Sequence, residues 1–353
     1  MSRTAKVVLA DHTTLGVGGP AGRFVRAAGA SDLIGLIAAA DTEGTQVLII
    51  GAGSNLLISD EGFPGLVIRT GYSDGTVTEL ADGRVLLDYG AGQDFDELVT
   101  LSVESGWSGI EALAGIPGTL GAAPMQNIGA YGQEIRETVR SVSVYDRQLR
   151  RTRQFGPEDC GFAYRDSIFK GTDRYAILSV QLCLRRSALS QPVRYAELAA
   201  RLGVQAGESA PLKDVREAVL ELRRGKGMVL DPGDPDTRSA GSFFLNPVLP
   251  AEAAHSLPDA APRWPAGDGN VKLSAAWLIE QAGFTRGWSG NHLNVSLSNK
   301  HTLAITNRGG AKASDIIGLA SEIAGGVLDR FGVRLTPEPR LVGLELPSLE
   351  RVT

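Results

Sequence analysis

The residues best suited to chemistry fall in short segments spread along the chain. Gly51-Ala52-Gly53-Ser54-Asn55-Leu56-Leu57 directly follows the apolar run Val47–Ile50. Two glycines let the backbone turn tightly, so bare amides can face an anion, and Ser54 and Asn55 add side-chain donors. Such a segment either cradles a pyrophosphate or is an ordinary turn leaving a strand. It is not the G-x-G-x-x-G fingerprint, because no third glycine opens a helix, and Gly-Lys-Ser/Thr is absent. The second segment, residues 115–132, contains Gly115-Ile116-Pro117-Gly118-Thr119-Leu120-Gly121 and Gln126-Asn127-Ile128-Gly129-Ala130-Tyr131-Gly132. It is glycine-rich, polar and uncharged. That composition suits close backbone approach to a flat polar ring system such as a flavin, or packing of a loop on its own protein.

Arg165 sits among the apolar Phe162, Ile168 and Phe169. A partly buried guanidinium requires an anionic partner, either Asp166 or a substrate carboxylate or phosphate. Ser242 lies between Gly241 and the pair Phe243-Phe244, a dry setting for a general acid, a nucleophile or a turn serine. The G-x-S-x-G elbow is missing, which argues against hydrolase chemistry. Glu338 is flanked by Pro337 and Pro339, which stiffen the backbone and hold its carboxylate in one direction.

Positioning these groups falls to an alternation of strands and helices. A strand over 24–28, a helix capped by Ser31 with Leu33, Ile34, Leu36 and Ile37 inward, and the Val47–Ile50 strand form a small α/β unit. A hairpin follows, 76–80 and 85–89 around Ala81-Asp82-Gly83. Next comes a short helix with Phe95, Leu98, Val99 and Ser102 inward, ended by Gly106, then strands over 142–145 and 177–184. Beyond the Pro/Gly-rich stretch 231–241 the pattern predicts a helix over 272–282, a strand over 302–306 and a long helix capped by Ser314. The last buries Ile316, Leu319, Ile323, Val327 and Phe331.

Composition narrows the class. At 353 residues the chain is too long for one ordinary core. The net charge of −5 argues against a nucleic-acid binder, and two cysteines (Cys160 and Cys183) make neither a disulfide scaffold nor a four-ligand zinc site. No apolar run is long enough to span a membrane and residues 1–15 hold no signal-peptide core, so a cytoplasmic protein without a structural metal is expected.

In this order, the segments from His12-Thr13-Thr14 to Pro337-Glu338-Pro339-Arg340 resemble the UDP-N-acetylenolpyruvoylglucosamine reductase family over about nine-tenths of the chain. The resemblance implies an α+β, three-domain flavoenzyme. Two domains would form a vanillyl-alcohol-oxidase-like FAD-binding fold, residues 1–71 with 339–353 and residues 72–215. A smaller α/β substrate-binding domain would span 216–338. It implies non-covalent FAD, NADPH as hydride donor, and UDP-N-acetylglucosamine enolpyruvate as substrate, in a monomer with no nucleic-acid or membrane partner. Arg165, Ser242 and Glu338 match the family's catalytic residues. Gly51, Gly53, Ser54, Asn55, Ile116, Pro117, Gly118, Thr119, Gly121, Gln126, Asn127, Gly129, Ala130, Tyr131, Gly132 and Arg340 fall on the cofactor segments. Tyr195 matches a lid tyrosine, Lys226 a phosphate-binding lysine, and Asn246 a substrate-contacting amide.

Two departures stand out. Leu245 occupies a position where members commonly carry Lys, and the acidic stretch 231–239 is somewhat long. Two competing classes are an oxidase of a small alcohol or sugar on the same flavin fold, and a non-catalytic nucleotide-sugar sensor. The first has no use for the Ser242 and Glu338 segments. The second has no need to keep Arg165, Ser242 and Glu338 together.

Overall fold

The computed structural model describes residues 7–348. Contacts divide the chain into two compact units. The terminal unit holds the described residues up to Ala21, Gly53–Phe63 and those from Lys226 onward; the middle unit holds Gly22–Ala52 and Pro64–Gly225. This division cuts across the expected three segments, because residues 22–52 of the expected first lobe group with the second.

The middle unit is built on an antiparallel sheet in the order Arg151–Phe155, Val139–Asp146, Tyr175–Arg186, Arg84–Gly90, Gly75–Glu79. Its long central strand, Tyr175–Arg186, alternates in burial along much of its length, as a sheet with one covered face requires. The hairpin predicted around Gly83 is present, and Gly83 takes φ +81° at the turn. A smaller sheet pairs Val47–Ile50 in parallel with Phe63–Thr70. The helix Ala30–Glu43 buries Leu33, Ile37 and Ala40. Ser31 is not its cap: the helix starts one residue earlier behind Gly29, and the Asp32 carboxylate instead accepts from Ala28 N at 2.8 Å.

At the end of the strand Val139–Asp146 the Asp146 side chain is fully buried. It accepts from Arg174 Nη2 at 2.8 Å, from Arg153 Nη1 at 3.2 Å, and from the backbone N–H groups of Gln148 and Leu149, both at 3.1 Å. The Arg174 guanidinium, with these other donors, holds the carboxyl far below the usual carboxylate range. A depressed folded-state pKa contributes stability that is present above the unfolded value of about 4 and lost as the pH falls toward the folded value. Asp146→Asn is therefore expected to lower the melting midpoint at pH 7, with the gap to the wild type closing below about pH 4. Melts at pH 7 and pH 3 check this; a gap of equal size at both would contradict it.

The terminal unit centres on the helix Ala313–Phe331, which buries Ile316, Leu319, Ile323 and Val327 as its spacing predicts. Phe331 is only partly buried and packs on Trp277, ring centroids 5.7 Å apart. Ser314 lies inside the first turn and does not cap it. The Asp60 carboxylate takes the N–H groups of Ala313 at 2.7 Å and Ser314 at 3.0 Å, which complements the positive helix end. The predicted helix over 272–282 is shorter, Ala275–Gln281 behind the cap Ser274, and the strand expected over 302–306 is Ile305–Asn307. The strand Arg340–Val342 pairs in parallel with Leu56–Ile58, so the end of the described chain closes on the segment following Gly53-Ser54-Asn55.

The acidic stretch 231–239 is folded. Asp234 caps the short turn Pro235–Thr237 and pairs with Lys300 Nζ at 2.5 Å. Asp236 is buried and accepts from Asn299 N at 2.9 Å and Arg308 Nη2 at 2.7 Å. Burial alone would raise its pKa, but these donors hold it below the ordinary value. Its extra negative charge is spent on ion pairs within the unit.

Candidate active site

In the terminal unit two segments almost a hundred residues apart run side by side. Phe244 and Pro337 form an antiparallel bridge: Leu245 N donates to Thr336 O at 2.9 Å and Glu338 N donates to Phe243 O at 2.8 Å. Phe243 and Phe244, each 1% exposed and edge-to-face at 5.2 Å, anchor this pairing in the core. Ser242 is the neighbour of the residue hydrogen-bonded to Glu338, and both Ser242 and Glu338 are half-buried. Gly241 has φ +73°, a conformation that favours glycine, and starts the turn into Ser242.

The same region receives the first glycine motif. Asn55 Nδ2 donates to Glu338 O at 3.4 Å, and Arg340 N donates to Asn55 O at 3.0 Å. Gly53 takes φ +66°, and a Cβ there would stand 1.9 Å from the His12 carbonyl oxygen. Thr14 completes the frame, with its N–H on Gly53 O and its hydroxyl donating to Ser239 O at 2.7 Å. Thr14 falls on the His12-Thr13-Thr14 segment that opens the resemblance, but its residue type alone does not encode this role.

Asn246 divides its amide. Its Oδ1 accepts from Ala275 N at 3.0 Å at the start of Ala275–Gln281. The Nδ2 is the end suited to an outside partner. Lys226 is half-buried beside Gly227, whose φ of +67° sets the chain against Asp236. Arg340 is exposed, and Leu245 spends its N–H on the Thr336 carbonyl.

In the middle unit the two glycine motifs meet. A Cβ at Gly51 would lie 2.3 Å from Thr119 Oγ1, so the turn after Val47–Ile50 packs directly on the second motif. Gly121 is equally constrained, 2.5 Å from the Ala91 Cβ. Gly118, Gly121 and Asn127 are buried and Ile116, Pro117, Thr119, Gln126, Gly129, Ala130 and Tyr131 half-buried; in the terminal unit Gly53 is buried and Ser54 and Asn55 are half-buried. Close approach leaves no room for a side chain at Gly53 or Gly121. Tyr131 and Gly132, both at positive φ, turn a tight hairpin in which Gly129 pairs with Glu134 and Ala130 with Gln133. The Tyr131 ring meets Tyr195 edge-on at 5.4 Å, and Tyr195 is 43% exposed.

Arg165 is half-buried and sits at φ +51° in a second tight turn, closed by the Ala163–Asp166 bridge. Its Nη2 donates to Gly129 O at 2.5 Å and its Nη1 to Asn127 O at 3.5 Å, while Lys170 Nζ donates to Arg165 O at 2.7 Å. The Asp166 carboxylate accepts from Ser167 N at 2.9 Å. Asn127 is turned inward. Its side chain is 0% exposed and hydrogen-bonded inside the protein. Arg165 belongs to the middle unit, and Ser242 and Glu338 to the terminal one.

Both cysteines are free thiols, and burial pushes Cys160 up to about 11. Among the described residues there is no cluster of metal-ligating side chains, and no helix is long and apolar enough to cross a membrane.

A glycine turn after a buried strand, packed on an uncharged polar loop, fits a dinucleotide carrying a flat ring. Residues 21–148 match a family model described as an FAD binding domain, which defines the class as a flavin-binding oxidoreductase. Residues 234–342 match a second, described as UDP-N-acetylenolpyruvoylglucosamine reductase, C-terminal domain. Proteins named UDP-N-acetylenolpyruvoylglucosamine reductase from Thermobifida fusca and Salinispora arenicola are 53% and 49% identical, over 96% and 97% of this chain and 98% and 96% of theirs. The crystal structure of the reductase of that name from Thermus caldophilus superposes with a TM-score of 0.65 at 26% identity, covering 96% of this chain and 99% of the other. The chain belongs to the UDP-N-acetylenolpyruvoylglucosamine reductase family.

Proposed function

We propose that this protein reduces UDP-N-acetylglucosamine enolpyruvate to UDP-N-acetylmuramate in the cytoplasm, a step of peptidoglycan precursor synthesis, with NADPH as the electron source and non-covalently held FAD. The observation that carries this reading is the pairing of the Ser242 and Glu338 segments, which holds a hydroxyl and a carboxylate on adjoining, core-anchored backbone. Ser54, Asn55, Ile116, Pro117, Thr119, Gln126, Gly129, Ala130 and Tyr131 of the glycine motifs, with Arg340, would hold FAD. The buried glycines would shape their loops. When bound, FAD supplies the hydride that adds to the terminal carbon of the enolpyruvyl ether.

Hydride addition builds negative charge on the substrate carboxylate as an enolate. Arg165 and Glu338 meet that charge as fixed cation and acid, and preorganised groups of this kind contribute several kcal/mol to the rate. Ser242 then gives a proton to the alpha carbon. A serine hydroxyl is a weak acid, so it draws on a polarising neighbour or a water chain. Lys226 binds the phosphates of the UDP-sugar, the Nδ2 of Asn246 contacts the sugar side, and Tyr195 closes over the substrate. The functional partition into 1–71 with 339–353, 72–215 and 216–338 belongs to this proposal.

Lys226→Ala tests the substrate half of the reading. Removing one cation from the phosphates is expected to raise the KM for the UDP-sugar by roughly 10- to 100-fold, as loss of a charge-assisted contact does. Flavin reduction by NADPH should stay near the wild-type rate. Stopped-flow of the two half-reactions reads both, and a defect confined to flavin reduction would overturn the assignment.

A further inference from the structure

Asn127, beside the proposed site, makes three side-chain hydrogen bonds, all within the protein. Its Nδ2 donates to Glu134 Oε2 at 2.9 Å and to Ala163 O at 2.9 Å, and its Oδ1 accepts from Arg136 N at 3.2 Å. Glu134 is held in turn by Arg136 Nε at 2.8 Å. These partners belong to two separate tight turns. Glu134 ends the hairpin that starts at Gly129, and Ala163 opens the turn that carries Arg165. The carboxamide therefore ties the base of one hairpin to the base of the other.

The guanidinium of Arg165 spans the same two turns from the other side. It donates to the carbonyls of Gly129 and of Asn127 itself. Each of those carbonyls can aim at the guanidinium only if the two turns keep their spacing, which the Asn127 side chain sets. The backbone choice agrees. Asn127 sits at φ +46°, where asparagine is among the few non-glycine residues tolerated. That conformation turns its carbonyl toward Arg165 while the side chain points into the interior.

We infer that Asn127 is a positioning residue for the reaction, fixing the direction of the Arg165 guanidinium by clamping the Gly129–Glu134 hairpin to the Ala163–Asp166 turn. The inference rests on the proposed role of Arg165 at the substrate carboxylate. It gives the buried Asn127 side chain work through Arg165.

The decisive variant is Asn127→Gly. Glycine accepts φ +46° without strain, so the backbone can keep its path while all three side-chain hydrogen bonds are lost. Asn127→Asp is the companion: it keeps shape and φ but replaces the donor facing Glu134 and Ala163 by a charged acceptor. The readout is the rate at which the enolpyruvyl sugar reoxidises reduced flavin in the holoenzyme, with flavin content and the rate of flavin reduction by NADPH measured alongside. Misaiming a transition-state contact by about 1 Å costs on the order of 100-fold, so both variants should slow reoxidation by roughly that factor with flavin reduction near wild type.

Coupling to Arg165 separates positioning from structure. In an Arg165→Ala background, Asn127→Gly should cost almost nothing further, because the group it aims is gone. Equal losses in both backgrounds would overturn the inference, as would wild-type reoxidation by Asn127→Gly. Wild-type reoxidation by Arg165→Ala alone would instead sink the proposed role of Arg165. If Asn127→Gly loses flavin and does not fold, Asn127→Asp combined with Arg165→Ala carries the same cycle.

Discussion

Ser242→Ala is expected to slow reoxidation of reduced flavin by the enolpyruvyl sugar by about 10²- to 10⁴-fold, the usual contribution of a positioned acid. Flavin binding and flavin reduction by NADPH should change little. The reason is where the proton is needed. Hydride addition leaves an enolate, and turnover stalls until the alpha carbon is protonated. A group acting at or after the transition state lowers the maximal rate more than it weakens substrate binding. The structure argues against a folding artefact. Alanine keeps the Cβ of Ser242, and the anchors of this turn are the buried Phe243 and Phe244 rings and the backbone bonds of Phe243 and Leu245. Ser242→Cys should recover part of the rate, because a thiol still gives a proton. Anaerobic stopped-flow at saturating sugar reads the effect. Unchanged reoxidation by Ser242→Ala would show that the hydroxyl is not the acid.

Gly53→Ala should be strongly destabilising for the terminal unit. The position combines φ +66° with a backbone carbonyl, that of His12, only 1.9 Å from where the Cβ must go. The left-handed conformation alone costs alanine about 1–2 kcal/mol. The clash adds to that because it is with backbone, and relieving it pulls Thr14 away from Gly53 O and Ser239 O. A loss of roughly 3–5 kcal/mol is expected, among the larger single-residue effects. At about 2–4 °C per kcal/mol for a unit of this size, the melting midpoint falls by about 10 °C, and flavin is lost on purification. Gly310→Ala is the control. It has φ +71° in the same unit but nothing within 4 Å of the added Cβ, so only the conformational cost remains. Equal destabilisation by the two substitutions would refute the close-approach account.

Elements with strong local periodicity were legible in the sequence. The long helix 313–331 and the hairpin around Gly83 stand where the spacing predicts, because their apolar stripe and turn residues lie within one short window. Helix caps were misread when the capping group came from elsewhere. Ser314 looks like a cap by type, but the first-turn N–H groups are taken by Asp60, 253 residues away, and no local pattern encodes such a pairing. The same limit applies to the candidate site. Each of Arg165, Ser242 and Glu338 was visible as an unusual residue in an unusual setting. The alignment of Ser242 beside Glu338 required the bridge between Phe244 and Pro337. Asn127 shows a further limit. In a polar glycine-rich run an amide reads as ligand surface, and only burial shows that its hydrogen bonds all turn inward.

One anaerobic experiment with the purified protein tests the proposed reaction most directly. NADPH should bleach the visible absorption of the bound flavin, and UDP-N-acetylglucosamine enolpyruvate should then restore it in the absence of oxygen. UDP-N-acetylmuramate should form in equimolar amount to the NADPH consumed, and acid precipitation should release the flavin into solution. A flavin that NADPH reduces but that only oxygen, and not the enolpyruvyl sugar, reoxidises would contradict the central claim.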